Sequence, residues 1–325
     1  MNAKLLAAGL VTIASQAMAQ TPVLTVLTYD SFTSEWGPGP LIEKGFEATC
    51  ACDVQFVTAG DGAAVLARLQ LEGANSTADV VVGLDTNLTA AATPFFAPVT
   101  TGPNTLPVPY VDANFIPFDW GWFAFVYDKT KLATPPKSFE ELAASDLKIL
   151  IQDPRSSTPG LGLVMWVKAA YGDRAPQIWA DLADNIVTVT PGWSEAYGLF
   201  LEGEADMVLS YTTSPAYHLI AETDDTKAAA LFDEGHYMQI EVAGKTATTD
   251  QPELADAFLA YLTSDPAQTA LITTNWMYPA MTPAAGLPAG FETLIQPGKS
   301  LLLSATDAGA GRAQAIEEWQ TALSK

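Results

Sequence analysis

Three segments in the N-terminal third of the chain repeat one pattern, in which an apolar, β-rich run is followed by a polar turn. The runs are residues 21–28, 53–58 and 78–84, and each turn contains an aspartate. Strands joined in this order through helices form a parallel sheet, because each crossover is right-handed and lays its helix against one face. The sequence therefore predicts an α/β fold, with helices at residues 41–48 and 63–72.

The second half of the chain continues the pattern and contains one unusual run. Residues 119–127 form an aromatic stretch without charge after its first residue, which predicts a long buried strand. Such a strand can carry the chain from one domain into the next, and the alternating run at 237–242 can carry it back. Two α/β domains also suit the chain length. We expect one lobe from residues 20–120 and 242–325 and a second from 121–241, with a ligand cleft between them.

Shorter apolar runs predict the remaining elements. Strands are expected at residues 148–151, 186–189 and 207–209, and helices at 163–171, 195–202, 252–262 and 305–323. The hydroxyl- and glycine-rich segment 153–162 is expected to be a loop before a helix, where it could hold an oxyanion or a hydroxyl group. It lacks the lysine of a nucleotide-binding P-loop, so the sequence does not support ATP binding.

The first nineteen residues have the features of a secretory signal peptide. Lys4 precedes an apolar segment from Leu5 to Ile13, and Ala17-Met18-Ala19 is a small-x-small cleavage site. We therefore expect export to the periplasm. The net charge of −22 would repel nucleic acid and anionic lipid, and it favours a cationic ligand over an anionic one.

Cys50 and Cys52 are the two cysteines of the sequence, with one residue between them. In an exported protein such a pair is expected to form a disulfide, here at a turn between a helix and a strand. A metal site would need further ligands, and His218 and His236 lie far away in the sequence. No catalytic role is assigned to the pair.

The turns that follow the strands share one chemistry. They carry aromatic rings, hydroxyl groups and carboxylates, and the carboxyl ends of strands are where open α/β folds bind ligands. Any one ring can serve as a core residue, but six on polar turns suit a planar cation held by stacking and cation–π attraction. The rings are Tyr29, Trp36, Trp193, Tyr211, Tyr217 and Trp276, and the carboxylates are Asp30, Asp61, Asp85 and Asp119.

Several blocks of the sequence, in order, resemble the periplasmic thiamine-binding proteins of bacterial ABC importers. The blocks are 28–32 with 36–40, 78–81, 153–162, 192–197, 210–217 and 275–279. The Cys50-Ala51-Cys52 spacing is similar as well. The resemblance implies a two-lobed class II periplasmic-binding-protein fold, with a mixed, mainly parallel sheet and flanking helices in each lobe, joined by hinge strands.

The resemblance also implies a ligand and a site. The ligand would be thiamine, thiamine monophosphate or thiamine diphosphate, carried by a monomer to the permease subunits of an ABC transporter without cofactor, metal or catalysis. Asp61 would counter the positive charge or bond the aminopyrimidine, and Ser157 with Thr158 would receive the hydroxyethyl or phosphate end. The expected contacts are Asp61, Gly62, Ser157, Thr158, Trp193, Tyr211, Thr212, Thr213 and Ser214, with Tyr29, Trp36, Tyr217 and Trp276 as walls.

Three alternatives stay open at the level of sequence. A ferric-ion carrier of the same fold could use Tyr211 and Tyr217, and a polyamine carrier could use Asp30, Asp61 and Asp119. A thiaminase-like enzyme would need a free cysteine thiolate beside the ligand. Asp30, Asp85 and Asp119 are otherwise expected to cap helices or bond their turns, and they are not assigned to the site.

Overall fold

The computed structural model describes residues 21–324 of the chain, so the segment interpreted as a signal peptide, residues 1–19, lies outside the described residues. The strands are β1 Val23–Thr28, β2 Asp53–Thr58, β3 Val80–Asp85, β4 Ile116–Asp128, β5 Ile149–Gln152, β6 Ile186–Thr190, β7 Met207–Tyr211, β8 Lys227–Ala229, β9 His236–Lys245, β10 Tyr278–Pro279 and β11 Ser300–Leu301. The helices are α1 Asp30–Thr33, α2 Gly39–Cys50, α3 Gly62–Glu72, α4 Thr89–Ala92, α5 Phe139–Ala143, α6 Thr158–Tyr171, α7 Ala175–Leu182, α8 Trp193–Glu202, α9 Pro215–Ala221, α10 Pro252–Leu262, α11 Asp265–Thr274 and α12 Ala305–Leu323.

Two groups of parallel strands form the two ends of one continuous sheet. The strand order is β2-β1-β3-β9-β4-β7-β5-β6, with β10 and β8 paired to β4 and β11 paired to β9. Strands β2, β1 and β3 are parallel to one another, as are β7, β5 and β6. The parallel strands consist mostly of apolar residues, as expected where helices cover both faces of a sheet. The α/β architecture predicted from the sequence is present.

Two long strands, β4 and β9, join the two groups. Strand β4 pairs antiparallel with β9 up to Trp122 and with β7 from Phe123 onward, so it belongs to both halves of the sheet. Most side chains of β4 are buried, which explains its aromatic sequence, and Asp119 and Asp128 are its two acidic residues. The predicted lobe boundaries, after residues 120 and 241, fall inside these two strands. A rotation of one lobe against the other therefore has to bend β4 and β9.

One predicted loop is partly helical. Helix α6 begins at Thr158, not at residue 163, with Ser157 as its N-cap and Pro159 in its first turn. A side chain on Gly160 would overlap the backbone of Gln152, and one on Gly162 would overlap the Phe123 ring. These glycines therefore allow the helix to lie close to the sheet, whereas the sequence pattern favoured a loop.

The cysteine pair agrees with the expectation from the sequence. Cys50, at the end of α2, forms a disulfide with Cys52, and Ala51 between them has a left-handed backbone. No helix within residues 21–324 combines the length and the apolar composition that a membrane span requires.

Candidate ligand-binding cleft

A cavity of about 490 Å³ lies between the two lobes. Both lobes contribute to its wall through strand ends and helix N-termini. Eight of the thirteen residues assigned to the site from the sequence line it, namely Tyr29, Trp36, Asp61, Trp193, Tyr211, Ser214, Tyr217 and Trp276. The other five, Gly62, Ser157, Thr158, Thr212 and Thr213, are buried beside these residues but do not line the cavity.

Aromatic rings from opposite lobes meet around the cavity. The centroids of Trp36 and Trp193 are 6.2 Å apart, and those of Tyr217 and Trp276 are 5.7 Å apart. Trp36 is 53% exposed, which places it at the entrance. The Trp193 indole donates a hydrogen bond to Ser210 Oγ at 2.8 Å, and this bond fixes the ring at the start of α8. The two lobes together thus supply apolar walls for a flat ligand.

A hydrogen-bonded chain behind the wall fixes two tyrosines that line the cavity. The Tyr197 hydroxyl lies 2.9 Å from His218 Nε2, and His218 Nδ1 lies 2.7 Å from Glu222. The Tyr217 hydroxyl donates to the other carboxylate oxygen of Glu222 at 2.8 Å. His218 is 1% exposed, so both of its nitrogens rely on these partners. Helices α8 and α9 are therefore tied together behind the ligand cavity.

We predict that His218→Phe lowers the free energy of unfolding by about 1–3 kcal/mol, because it leaves the buried Tyr197 hydroxyl without its partner. Urea denaturation checks this value. The Tyr197→Phe/His218→Phe double variant should regain part of the loss, since neither polar group then remains. Additive effects of the two substitutions would contradict a direct interaction.

Glu241 lines the floor of the cavity, and Asp119 lies beside it in the sheet without lining the cavity itself. Asp119 on β4 and Glu241 on β9 face each other in the register of the two hinge strands. Tyr29 Oη donates to Glu241 Oε2 at 3.1 Å, and Gln239 Nε2 donates to Glu241 Oε1 at 2.8 Å. Asn275 Nδ2 donates to Asp119 Oδ2 at 2.6 Å, whereas Asp119 Oδ1 is buried without a hydrogen-bond partner. Among the residues described, none that lines the cavity is basic.

The buried position of this pair disfavours its negative charge. Burial raises the pKa of Asp119 to about 7, although the hydrogen bond from Asn275 opposes the rise. Burial also raises the pKa of Glu241 well above its usual range, and the adjacent Asp119 adds to the shift. The charge of Asp119 thus opposes ionisation of Glu241, whereas hydrogen bonding from Glu241 lowers the pKa of Asp119. A positive charge in the cavity would offset this cost.

Glu241→Gln should stabilise the ligand-free protein near neutral pH by about 1–3 kcal/mol. The folded-state pKa of the acid lies above its unfolded value, so the wild type loses stability as the pH rises above about 4. Glutamine has no charge to bury, and its amide can donate to the free oxygen of Asp119. Urea denaturation at about pH 5 and about pH 7.5 measures the free energy of unfolding, which should fall less between these pH values for the variant than for the wild type. The same loss in both proteins would contradict this account, and Glu317→Gln on α12 is the surface control.

Asp61 joins the N-terminal ends of helices from both lobes. It is the N-cap of α3 and accepts a hydrogen bond from Gly62 N at 2.7 Å. Its second oxygen accepts from Ser157 Oγ, the N-cap of α6, also at 2.7 Å. Burial raises the pKa of Asp61, and hydrogen bonds from Ser157 and from the backbones of Gly62, Thr158 and Trp193 oppose the rise. The amide-rich ends of α3, α6 and α8 therefore converge on one carboxyl group.

Gly62 allows the lobes to approach at this point. The Ala64 amide donates to the Ser156 carbonyl at 2.9 Å across the cleft. A Cβ at Gly62 would lie 2.5 Å from the carbonyl oxygen of Gly83 and would overlap the Thr158 hydroxyl. Glycine is therefore required at Gly62 for the close approach of α3 to α6.

We predict that Gly62→Ala weakens ligand binding at least about tenfold, because the added methyl group holds the lobes apart. Titration of the intrinsic tryptophan fluorescence measures the affinity, and small-angle scattering should show a larger radius of gyration. Gly311→Ala on α12 is the matched control, since an added Cβ there has no atom within 4 Å. Unchanged affinity and size in Gly62→Ala would refute the role of this contact.

Several residues at the cavity were not assigned to the site from the sequence. They include Ser31, Tyr197, Glu241, Asn275 and Met277. Glu241 carried a recognisable signal, because an acid inside the apolar run 237–242 has to be compensated where it is buried. Asp119 is paired with Glu241 but does not line the cavity, whereas Asp85 bonds its own turn through Asn87, as expected.

Comparison with known proteins places the chain in a family. The family model for bacterial extracellular solute-binding proteins matches residues 37–269. The thiamine-binding periplasmic protein of Salmonella typhimurium is 54% identical over 310 residues, which are 94% of each chain. A solved structure described as a periplasmic thiamin binding protein superposes with a TM-score of 0.91 at 52% identity and covers 98% of this chain and 100% of that one.

A more distant structure bears on the fold alone. Iron-bound HitA from Pseudomonas aeruginosa superposes with a TM-score of 0.76 at 18% identity and covers 93% of this chain and 99% of that one. These matches confirm the class II fold predicted from the sequence, and the relatives are binding proteins, not enzymes. The chain belongs to the bacterial extracellular solute-binding proteins, within the family of periplasmic thiamine-binding proteins.

Proposed function

We propose that this chain is the solute-binding component of an ABC importer, that it is exported to the periplasm by residues 1–19, and that it binds thiamine. The observation that carries the proposal is the cavity with aromatic walls over the buried carboxyl group of Glu241, which is paired with Asp119, and with no basic residue among the described residues that line it. Thiamine combines two flat heteroaromatic rings with one permanent positive charge. The names of the relatives, thiamine-binding periplasmic proteins, support the same ligand.

The walls and the floor would act on different parts of such a ligand. Cation–π attraction to Trp or Tyr contributes about 0.5–2 kcal/mol per contact, and Trp36, Trp193, Tyr217 and Trp276 are placed for it. The carboxyls of Asp119 and Glu241 would compensate the positive charge, where water is excluded. The cavity volume lies in the usual range for small-molecule sites.

We also propose that thiamine monophosphate and diphosphate bind with their phosphate groups near Asp61. The N-terminal ends of α6 and α8 supply hydrogen-bond donors there, including Ser157 Oγ, and such ends favour anions. Thr158 Oγ1 is buried without a partner and can donate as well. Burial raises the pKa of Asp61, which reduces the repulsion between this side chain and an approaching phosphate.

Closure of the lobes would couple binding to transport. A ligand that contacts both lobes would stabilise the closed form of the protein. Closure would bend β4 and β9 and would present one surface to the permease subunits. We propose a monomer as the transporting form. Of the alternatives, a thiaminase-like reaction has no nucleophile here, because Cys50 and Cys52 are joined in a disulfide and do not line the cavity.

The test is a fluorescence titration of refolded, ligand-stripped protein with thiamine, its two phosphate esters, spermidine and ferric ion. Saturable quenching by submicromolar thiamine supports the proposal, and the order of the esters tests the phosphate position. Tight binding of spermidine without binding of thiamine would indicate a polyamine carrier instead of a thiamine carrier. A coloured complex with ferric ion would indicate an iron carrier. The iron alternative requires ionised tyrosines, whereas burial raises the pKa of Tyr211 well above its usual range.

Trp193→Ala should weaken thiamine binding about 10- to 100-fold, since it removes one aromatic wall. Tyr217→Ala should weaken it as well. Trp319→Phe on α12, outside the cavity, is the control and should retain the wild-type affinity. If both Trp193→Ala and Tyr217→Ala bind thiamine as the wild type does, the site is assigned wrongly.

A further inference from the structure

We propose, on the basis of the function proposed above, that Asp119 and Glu241 share a proton in the empty cleft and that a cationic ligand expels this proton into solvent. Ligand capture would then be coupled to the release of about one proton. The two acids would be specificity-determining residues, because a neutral ligand gives them no reason to ionise.

The geometry of the pair provides the first argument. Asp119 and Glu241 are direct partners in the antiparallel ladder between β4 and β9, so their side chains lie next to each other on the same face of the sheet. Donors from Tyr29, Gln239 and Asn275 occupy three of the four carboxyl oxygens. The fourth, Asp119 Oδ1, is buried without a partner. A proton on Glu241 supplies the hydrogen bond that this oxygen lacks.

The surrounding charges provide the second argument. The titratable groups that act on the pair are two further carboxyls, those of Asp61 at the N-cap of α3 and Asp85 on β3, and two phenols, those of Tyr29 and Tyr211. The guanidinium of Arg312 on α12 acts on Asp85, and among the residues described no basic side chain forms a salt bridge with Asp119 or Glu241. Burial raises the pKa of both acids of the pair. A proton is therefore the available compensating charge in the empty protein.

A bound cation changes this balance. A positive charge within a few ångströms favours the ionised carboxylates, so their pKa falls and the proton leaves to the buffer. By linkage, the affinity then rises with pH, by up to about tenfold per pH unit for one released proton. The affinity should stop rising at the pH at which the pair is already ionised in the empty protein. For a neutral ligand of the same shape, the affinity should not rise with pH.

The experiment is isothermal titration calorimetry of the full-length mature protein with thiamine at one pH near neutral. Two buffers with different ionisation enthalpies, such as phosphate and Tris, give the number of protons released from the difference in apparent binding enthalpy. We expect a release of about 0.5 to 1 proton for the wild type and a smaller release at higher pH. Glu241→Gln and Asp119→Asn should bind thiamine more weakly and, at thiamine concentrations that saturate them, should release markedly less proton per thiamine bound. Glu317→Gln on the surface of α12 should behave as the wild type.

The comparison of variants at the same pH removes any contribution from the aminopyrimidine of thiamine, because that ring titrates equally in every titration. Infrared difference spectroscopy of the wild type provides a second measurement, which does not depend on the variants. The carbonyl stretch of a protonated, buried carboxyl should disappear when thiamine binds.

The outcomes are distinct. Thiamine binding without proton release, or with the same release in both variants, overturns this inference and leaves the proposed function standing. A protonated-carboxyl signal that persists in the complex also overturns it. Absence of thiamine binding by the wild type overturns the proposed function and this inference together.

Discussion

The antiparallel pairing of β4 with β9 is the interaction on which the rest of this structure depends. These two strands connect the parallel groups of both lobes, and β4 changes its partner from β9 to β7 between Trp122 and Phe123. Glu241 on β9 lines the cavity, so a strand that connects the lobes also contributes to the floor of the site. The same pairing places Asp119 opposite Glu241. Two acids that are far apart in the sequence thereby become direct neighbours.

The site combines two kinds of interaction that are weak separately in water. Aromatic rings from both lobes exclude water, and the carboxyls beneath them are buried and lack a basic partner among the lining residues described. Exclusion of water strengthens the attraction between a carboxylate and a cation, but it also makes the empty carboxylate costly. The ligand-free protein would therefore be less stable until a cationic ligand binds. A binding protein of this design trades stability in the empty state for selectivity toward positive charge.

Much of the fold could be predicted from the sequence, because it depends on local patterns. Strand β2 and helices α10 and α12 have the predicted bounds, and the disulfide joins the predicted cysteines. The predicted start of α6 was wrong, because Gly160 and Gly162 suggested a loop. In the structure these glycines permit close packing of a helix. The aromatic side of the cleft could also be predicted, since aromatic residues on polar turns stand out. The pairing of Asp119 with Glu241 could not be predicted, because β4 and β9 are far apart in the sequence and their pairing is not a local pattern. Whether the ligand contacts the residues assigned to it stays a prediction.

The central claim is that the cleft selects a flat ligand by its positive charge. The most direct measurement is the affinity for thiamine compared with an analogue of the same shape whose thiazolium is replaced by a neutral thiophene ring. The account predicts that thiamine binds at least about tenfold more tightly near neutral pH, because only the cation compensates Asp119 and Glu241. Equal affinity for the two compounds would contradict it and would leave the aromatic walls as the sole basis of recognition.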